Sequence, residues 1–214
     1  MIIGKENILN EIGKRRISAI IRTNQKEIAS EAMQAAIAGG FRLVEFTLTT
    51  PGALQLIATF SSSYDDLIVG AGTVLTPQSA RDAVKAGAQF LVSPICDPEL
   101  IDIAKTLGVV SIPGTFTATE MELAHRHGAD LVKLFPAPAN IVEYISCLLG
   151  PLPFLKIFPT AGVNYENMIA VLNAGAAGVG FTISLFKPED IKQKNYASIE
   201  SRARKITDRL AEIV

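Results

Sequence analysis

Short runs of β-branched and aliphatic residues alternate along the chain with longer stretches whose apolar positions recur at helical spacing. Strands are predicted at Ile17–Ile21, Leu43–Thr47, 67–71, 90–93, 109–112, 131–134, 155–158 and 177–180. A short helix over 5–11, closed by Gly13, precedes them, and a long helix over 197–213 closes the chain. Between strands, helix starts are marked by capping chemistry: Asn24 with Glu27, Thr50 before Pro51, Thr76 before Pro77, Asp97 before Pro98, Thr117 with Glu120, and Asn164. The joints from helix to strand repeat a signature, Ala38-Gly39-Gly40-Phe41, Ala86-Gly87-Ala88-Gln89, His127-Gly128-Ala129-Asp130 and Ala174-Gly175-Ala176-Ala177. Each places glycine just past a helix end, where a left-handed residue terminates the helix.

Eight strands, each followed by a helical segment, predict an α/β fold of the (β/α)8 TIM-barrel type with a short N-terminal helix, spanning 1–214 as one domain. A doubly wound open sheet is the runner-up, but its G-x-G-x-x-G turn is absent after Ile21. In a barrel, strand residues alternate between the helix layer and the interior, and chemistry collects at the C-terminal strand ends. Val44, Phe46 and Leu48 suit the helix layer, which turns Glu45, Thr47 and Thr49 inward. Val132 and Leu134 likewise turn Lys133 and Phe135 inward. A buried lysine sheds its proton more readily than a solvated one, and a neutral amine attacks carbonyls. One inward ammonium and one inward carboxylate at a barrel mouth are thus candidates for catalysis, with a structural Lys–Glu ion pair as the competing reading.

The remaining reactive side chains read as structural. Lys156 lies near the start of its strand, toward the far rim. His125 and His127 end a helix, where a cation suits the dipole. Cys96 follows a strand tip but has no neighbouring histidine to act as its base. Two cysteines and two histidines offer neither a disulfide framework nor a transition-metal cluster, so no metal and no cofactor is expected. The net charge of −1, without a basic stripe, argues against nucleic acid and anionic membranes. No apolar run reaches bilayer length and no leader pattern opens the chain, which predicts a cytoplasmic protein. A mean hydropathy of +0.31 points to a further buried surface such as an oligomer interface. Gly162 and Gly180 follow the seventh and eighth strands, where barrels bind phosphate on backbone N–H groups.

Several segments in order, Val44-Glu45-Phe46-Thr47, Gly70-Ala71-Gly72-Thr73-Val74-Leu75, Ser93-Pro94, Pro113-Gly114, Lys133-Leu134-Phe135-Pro136 and Pro159-Thr160-Ala161-Gly162, resemble the 2-keto-3-deoxy-6-phosphogluconate (KDPG/KHG) aldolase family. The resemblance spans 17–186. It implies a metal-independent class I aldolase on a TIM barrel, a homotrimer, acting on a small keto acid in sugar-acid breakdown. It assigns Lys133 as the Schiff-base lysine and Glu45 as the general acid/base. Gly72, Thr73, Pro94 and Phe135 then belong to the pyruvate half, and Thr160, Ala161, Gly162, Thr182 and Ser184 to the phosphate end.

Three positions depart from that pattern. Thr49 stands where gluconate-type members often carry a carboxylate-anchoring arginine, and Arg22 at the end of the first strand is the substitute. Ala161 replaces a glycine of the phosphate turn. The last strand reads Gly180-Phe181-Thr182-Ile183-Ser184, with Phe181 placed to obstruct phosphate. The expected activity is cleavage of a 2-keto-3-deoxy sugar acid, such as the 6-phosphogluconate-derived one, to pyruvate and an aldehyde. The alternatives are a phosphosugar isomerase or epimerase on the same barrel, with Glu45 as base, and a catalytically weak ligand-binding paralogue.

Overall fold

Helix α1 (Lys5–Arg15) opens a computed structural model that describes residues 4–213. After it the chain runs β1 (Ile17–Ile21), α2 (Lys26–Ala38), β2 (Leu43–Thr47), α3 (Ala53–Ser63), β3 (Ile68–Gly72), α4 (Pro77–Lys85), β4 (Phe90–Val92) and α5 (Pro98–Thr106). It continues as β5 (Val110–Ile112), β6 (Gly114–Thr115), α6 (Ala118–Arg126), β7 (Val132–Leu134), α7 (Ile141–Leu149), β8 (Ile157–Pro159), α8 (Met168–Asn173), β9 (Val179–Phe181), α9 (Pro188–Gln193) and α10 (Tyr196–Ala211). All strand pairs are parallel, in the orders β5-β4-β3-β2-β1-β9 and β6-β7-β8. A parallel bridge from Thr160 to Gly180 joins β8 to β9, and β5 and β6 are halves of one stave. The result is the expected closed (β/α)8 barrel.

The segment Pro113-Gly114-Thr115, expected as a loop, instead extends the fifth stave. Pro113 has no N–H to donate, so the ladder lapses for one residue. Its carbonyl still accepts from the Lys133 N–H at 2.8 Å, and Gly114 pairs opposite Lys133.

The alternation along the strands divides the core into two layers. Val44, Phe46, Val132 and Leu134 pack under the helices. Leu43, Ile68, Phe90, Val92, Val110, Ile112, Leu131 and Phe158 fill the barrel interior together with Ile8 and Ile12 of α1. Those two isoleucines are one turn apart on one face, so α1 closes the N-terminal end of the barrel. This helix runs through Gly13 to Arg15, beyond the expected stop, and ends at Arg16, which takes the left-handed conformation and donates its N–H to the Ile12 carbonyl.

Capping accounts for most helix starts. Thr76 with Ser79 and Thr117 with Glu120 form reciprocal capping boxes, and Asp97 accepts from the Glu99 N–H. Three expected starts move. Gln25, not Asn24, precedes α2, and Gly52, not Thr50, precedes α3. The Thr50 hydroxyl instead accepts from the Thr23 N–H at 3.3 Å, tying the loop after β1 to the loop after β2. Asn164 and Asn167 exchange backbone-to-side-chain hydrogen bonds, so α8 starts only at Met168. The short helix α9, which the pattern did not reveal, is held by the buried Asp190 paired with Arg202 of α10 at 2.6 Å. The repeated glycines Gly40, Gly87, Gly128 and Gly175 all carry positive φ, as the helix-ending signature requires.

Candidate active site

Inward positions of neighbouring staves converge above the apolar interior. Strand β2 contributes Glu45 and Thr47, β7 contributes Lys133 with Phe135 just beyond it, and β1 contributes Ile20 and, at its tip, Arg22. Thr160 and Ala161 follow β8, and Thr182, Ile183 and Phe186 follow β9. Together they enclose a cavity of about 300 Å³ at the C-terminal ends of the strands. That volume suits a small metabolite.

Lys133 and Glu45 are both buried, 7% and 3% exposed, yet they are not among the ion pairs of the described residues. The competing reading of a structural Lys–Glu pair therefore does not describe this site. Lys133 Nζ instead lies 4.7 Å from the centroid of the Phe135 ring. Burial lowers the Lys133 pKa from its usual value; Glu45 opposes that fall and Arg22 adds to it. Burial raises the Glu45 pKa, against the smaller opposing pull of Lys133 and Arg22. Both shifts move the pair toward the neutral amine and the protonated acid. These are the forms that attack a carbonyl and donate a proton.

Two neighbours on β3 and its tip complete the arrangement. A Cβ on Gly72 would lie 1.9 Å from Glu45 Oε1, so the carboxylate occupies space that only glycine leaves open. Thr73 is held at φ 57°, an uncommon conformation for a β-branched residue, and its hydroxyl accepts from Arg22 Nη2 at 3.3 Å. Arg22 is exposed at the mouth and has no acid partner among the described residues.

The family profile described as "Aldolase: KDPG and KHG aldolase" matches residues 8–202. The chain belongs to the KDPG and KHG aldolase family. It is 35% identical to the 2-dehydro-3-deoxy-phosphogluconate aldolase of Pseudomonas aeruginosa, over 92% of this chain and 90% of that one. It is also 35% identical to the 2-dehydro-3-deoxy-6-phosphogalactonate aldolase of Escherichia coli K12, over 81% and 86%. Its fold is similar to that of a KDPG aldolase from Legionella pneumophila solved with pyruvate captured as a covalent carbinolamine, with a TM-score of 0.84, 29% identity, and coverage of 93% and 97%. The KDPG and KHG aldolases are class I, Schiff-base-forming aldehyde-lyases.

Of the residues expected to serve an aldolase of this family, Arg22, Glu45, Lys133, Phe135, Thr160, Ala161 and Thr182 line the cavity. Gly72 and Thr73 touch it indirectly, through Glu45 and Arg22. The Pro94 carbonyl packs on Gly114, the residue opposite Lys133, one stave away from the amine. Gly162 directs its carbonyl to the Asn167 amide. Ser184 lies outside the cavity wall, with a buried hydroxyl that lacks a protein partner. Thr49 is exposed and turns away from Lys133 into a neighbouring depression with Ser79 and Asp82; only its 3.2 Å contact to the Thr47 hydroxyl links it to the site. Strand β2 ends at Thr47, so the inward-outward alternation no longer governs position 49.

Phe181 does not obstruct the mouth. It is fully buried on the helix side and meets Phe41 edge-on at 5.9 Å. The residue at the rim is Ile183, 71% exposed. Thr47 lines the wall as its inward aim predicts, and Ile20, Ile183 and Phe186 are wall residues not singled out from the sequence. Alternation places Ile20 two positions from Arg22, and that signal was available. The rim positions of Ile183 and Phe186 follow from the turn after β9, which carries no period.

The remaining reactive groups stand apart. Lys156 is exposed beside His125 and Asp130 around a different hollow, and His125 packs on Phe154. Burial, with Glu120 and Asp97 adding to it, raises the Cys96 pKa and disfavours the thiolate. Among the described residues no three His, Cys, Asp or Glu side chains are grouped to share a metal ion, and no helix is long and apolar enough to cross a membrane.

Proposed function

We propose that the protein cleaves 2-keto-3-deoxy-6-phosphogluconate to pyruvate and glyceraldehyde 3-phosphate through an imine on Lys133. The observation that carries this reading is the buried, unpaired Lys133 amine facing the same cavity as the buried Glu45 carboxyl. Neutral Nζ attacks C2, protonated Glu45 gives its proton to the carbinolamine hydroxyl, which leaves as water, and the iminium forms with Glu45 now ionised. Glu45 takes the C4 hydroxyl proton, the C3–C4 bond breaks, and its electron pair moves into the iminium to give an enamine while the aldehyde departs. The proton then returns from Glu45 to C3, and water hydrolyses the iminium, releasing pyruvate and the neutral Lys133 amine while Glu45 takes back the proton. The Phe135 ring face, 4.7 Å from Nζ, favours positive charge there and so supports the iminium once it has formed.

Arg22 is the guanidinium available to the substrate carboxylate, held by Thr73 with Gly72 and Pro94 shaping that half of the site. The turns at Thr160, Ala161 and Gly162 and at Thr182 and Ser184 are the phosphate end, where backbone N–H groups do the binding. The protein assembles as a homotrimer in this reading, for which the exposed Leu54, Leu75, Ile95 and Phe116 supply apolar surface near the mouth loops.

The test is mass spectrometry after treatment with pyruvate and borohydride. A reduced pyruvyl adduct is expected on Lys133, and Lys133→Arg should lose both the adduct and cleavage. An adduct on Lys156, or none, would overturn the assignment. Comparing kcat/KM for the gluconate-derived, galactonate-derived and 4-hydroxy-2-oxoglutarate substrates tests the substrate. A tenfold preference for either of the latter two, roughly 1.4 kcal/mol, would replace it.

A further inference from the structure

Beneath the mouth cavity lies a second, enclosed hollow of about 10 Å³ inside the barrel. Glu45, Lys133 and Thr160 line both spaces and form the partition between them. The walls below the partition are otherwise apolar, with Leu43, Phe90, Val92, Ile112 and Phe158, except for Ser18 of β1. Ser18 is only 2% exposed, and its hydroxyl has no protein hydrogen-bond partner. A buried hydroxyl left without a partner is costly, so native interiors satisfy such groups. The hollow is near the lower limit for holding one water, which needs two to four polar partners.

The strand register brings those partners together. Ser18 and Thr160 both stand opposite Gly180, from the two adjoining staves. A Cβ on Gly180 would lie 2.6 Å from Ile20 Cδ1 and 2.7 Å from Thr160 Oγ1, so only glycine fits between these inward side chains. Glu45 reaches in from the far side of β1. We propose that Ser18 is a positioning residue that holds a single buried water under the partition, hydrogen-bonded to the Ser18 hydroxyl and donating to the Glu45 carboxylate from below. The proposal rests on Glu45 being the proton-transfer group of the preceding reading. The water steadies the ionised carboxylate from the interior while its mouth-facing side serves the substrate. The titratable groups that act on Glu45 are the Lys133 amine and the Arg22 guanidinium, and the proposed water would add a donor from beneath.

A crystal structure at a resolution that reveals ordered water, together with Ser18→Ala and Ser18→Cys variants, tests the proposal. Density for a water within hydrogen-bond distance of Ser18 Oγ and the Glu45 carboxylate is expected, absent or displaced in Ser18→Ala. A dry hollow in the unsubstituted protein overturns the proposal. In solution, Ser18→Ala should slow exchange of the pyruvate methyl protons about tenfold, the scale of one hydrogen bond to a charged group. It should also shift the acid limb of the exchange pH profile upward and leave borohydride trapping at Lys133 intact. Ser18→Cys, with its weak donor, should restore part of the rate. Exchange within twofold and an unmoved profile in Ser18→Ala would also overturn it. Failure of trapping in the unsubstituted protein would instead reject the Lys133 reading, and the water density would stand or fall independently.

Discussion

Substituting Gly72 with alanine tests how closely the site depends on the place of one carboxylate. A Cβ at that position falls 1.9 Å from Glu45 Oε1, 2.7 Å from its Cδ and 3.0 Å from its Cγ. Carbon and oxygen that are not bonded rest at about 3.3 Å or more, so the carboxylate must move by roughly 1.4 Å if the backbone holds. The backbone is constrained: Gly72 pairs with Thr47 within the β2–β3 ladder, and its carbonyl accepts from the Leu48 N–H at 2.8 Å. The side chain is the part that yields. A misplacement of about 1 Å in a reacting group costs on the order of 10²-fold. Gly72→Ala should therefore slow pyruvate methyl exchange and aldol cleavage by about 10²-fold. Imine formation at Lys133 depends on the amine and should survive. The assay pairs methyl-proton exchange in deuterated water, followed by NMR, with the mass of the borohydride-trapped protein. Overpacking should also lower stability by about 1–3 kcal/mol, read by chemical denaturation. Exchange within threefold of the unsubstituted protein in a folded Gly72→Ala variant would show that the carboxylate is not held where the proton moves, and the assignment of Glu45 would fail.

Other expectations follow from the same geometry. Burial lowers the Lys133 pKa below 10.5, so between the lowered value and 10.5 the unfolded chain binds a proton that the native protein does not. Stability should rise with pH through that window, and Lys133→Met should remove that rise in the urea midpoint measured against pH. Arg22→Ala should cost about 2 kcal/mol in kcat/KM for keto-acid cleavage, with Arg22→Lys recovering part, because one side of a charged hydrogen-bonded pair is lost; a change under twofold would place the carboxylate elsewhere. Light scattering at micromolar concentration should give a trimer, and a stable monomer would refute the assembly.

The alternation of side chains was enough to read the barrel, the helix-facing layer of β2 and β7 and the inward aim of Glu45 and Lys133. Strand position sets the direction of a side chain through backbone geometry alone, so Val132 and Leu134 outward imply Lys133 inward wherever the strand is placed. The same local chemistry announced the helix start at Thr76 and the capping box of Thr117 with Glu120, whose donors and acceptors lie within one turn of chain. Where contacts join distant segments, the sequence was silent. It offered Lys133 with Glu45 as an ion pair or a reactive pair, and only the packed barrel shows two buried groups without a direct pair between them. Thr49 left the alternation because β2 ends at Thr47, and Phe181 turned into the helix layer because its stave runs to that residue in register with Ala19. The room for the Glu45 carboxylate over Gly72, and the orphan hydroxyl of Ser18 beneath it, arise from side chains of neighbouring staves meeting across the barrel. A one-dimensional pattern holds the direction of each side chain. The distance between two of them is decided by strand register and barrel closure, which are properties of the whole fold.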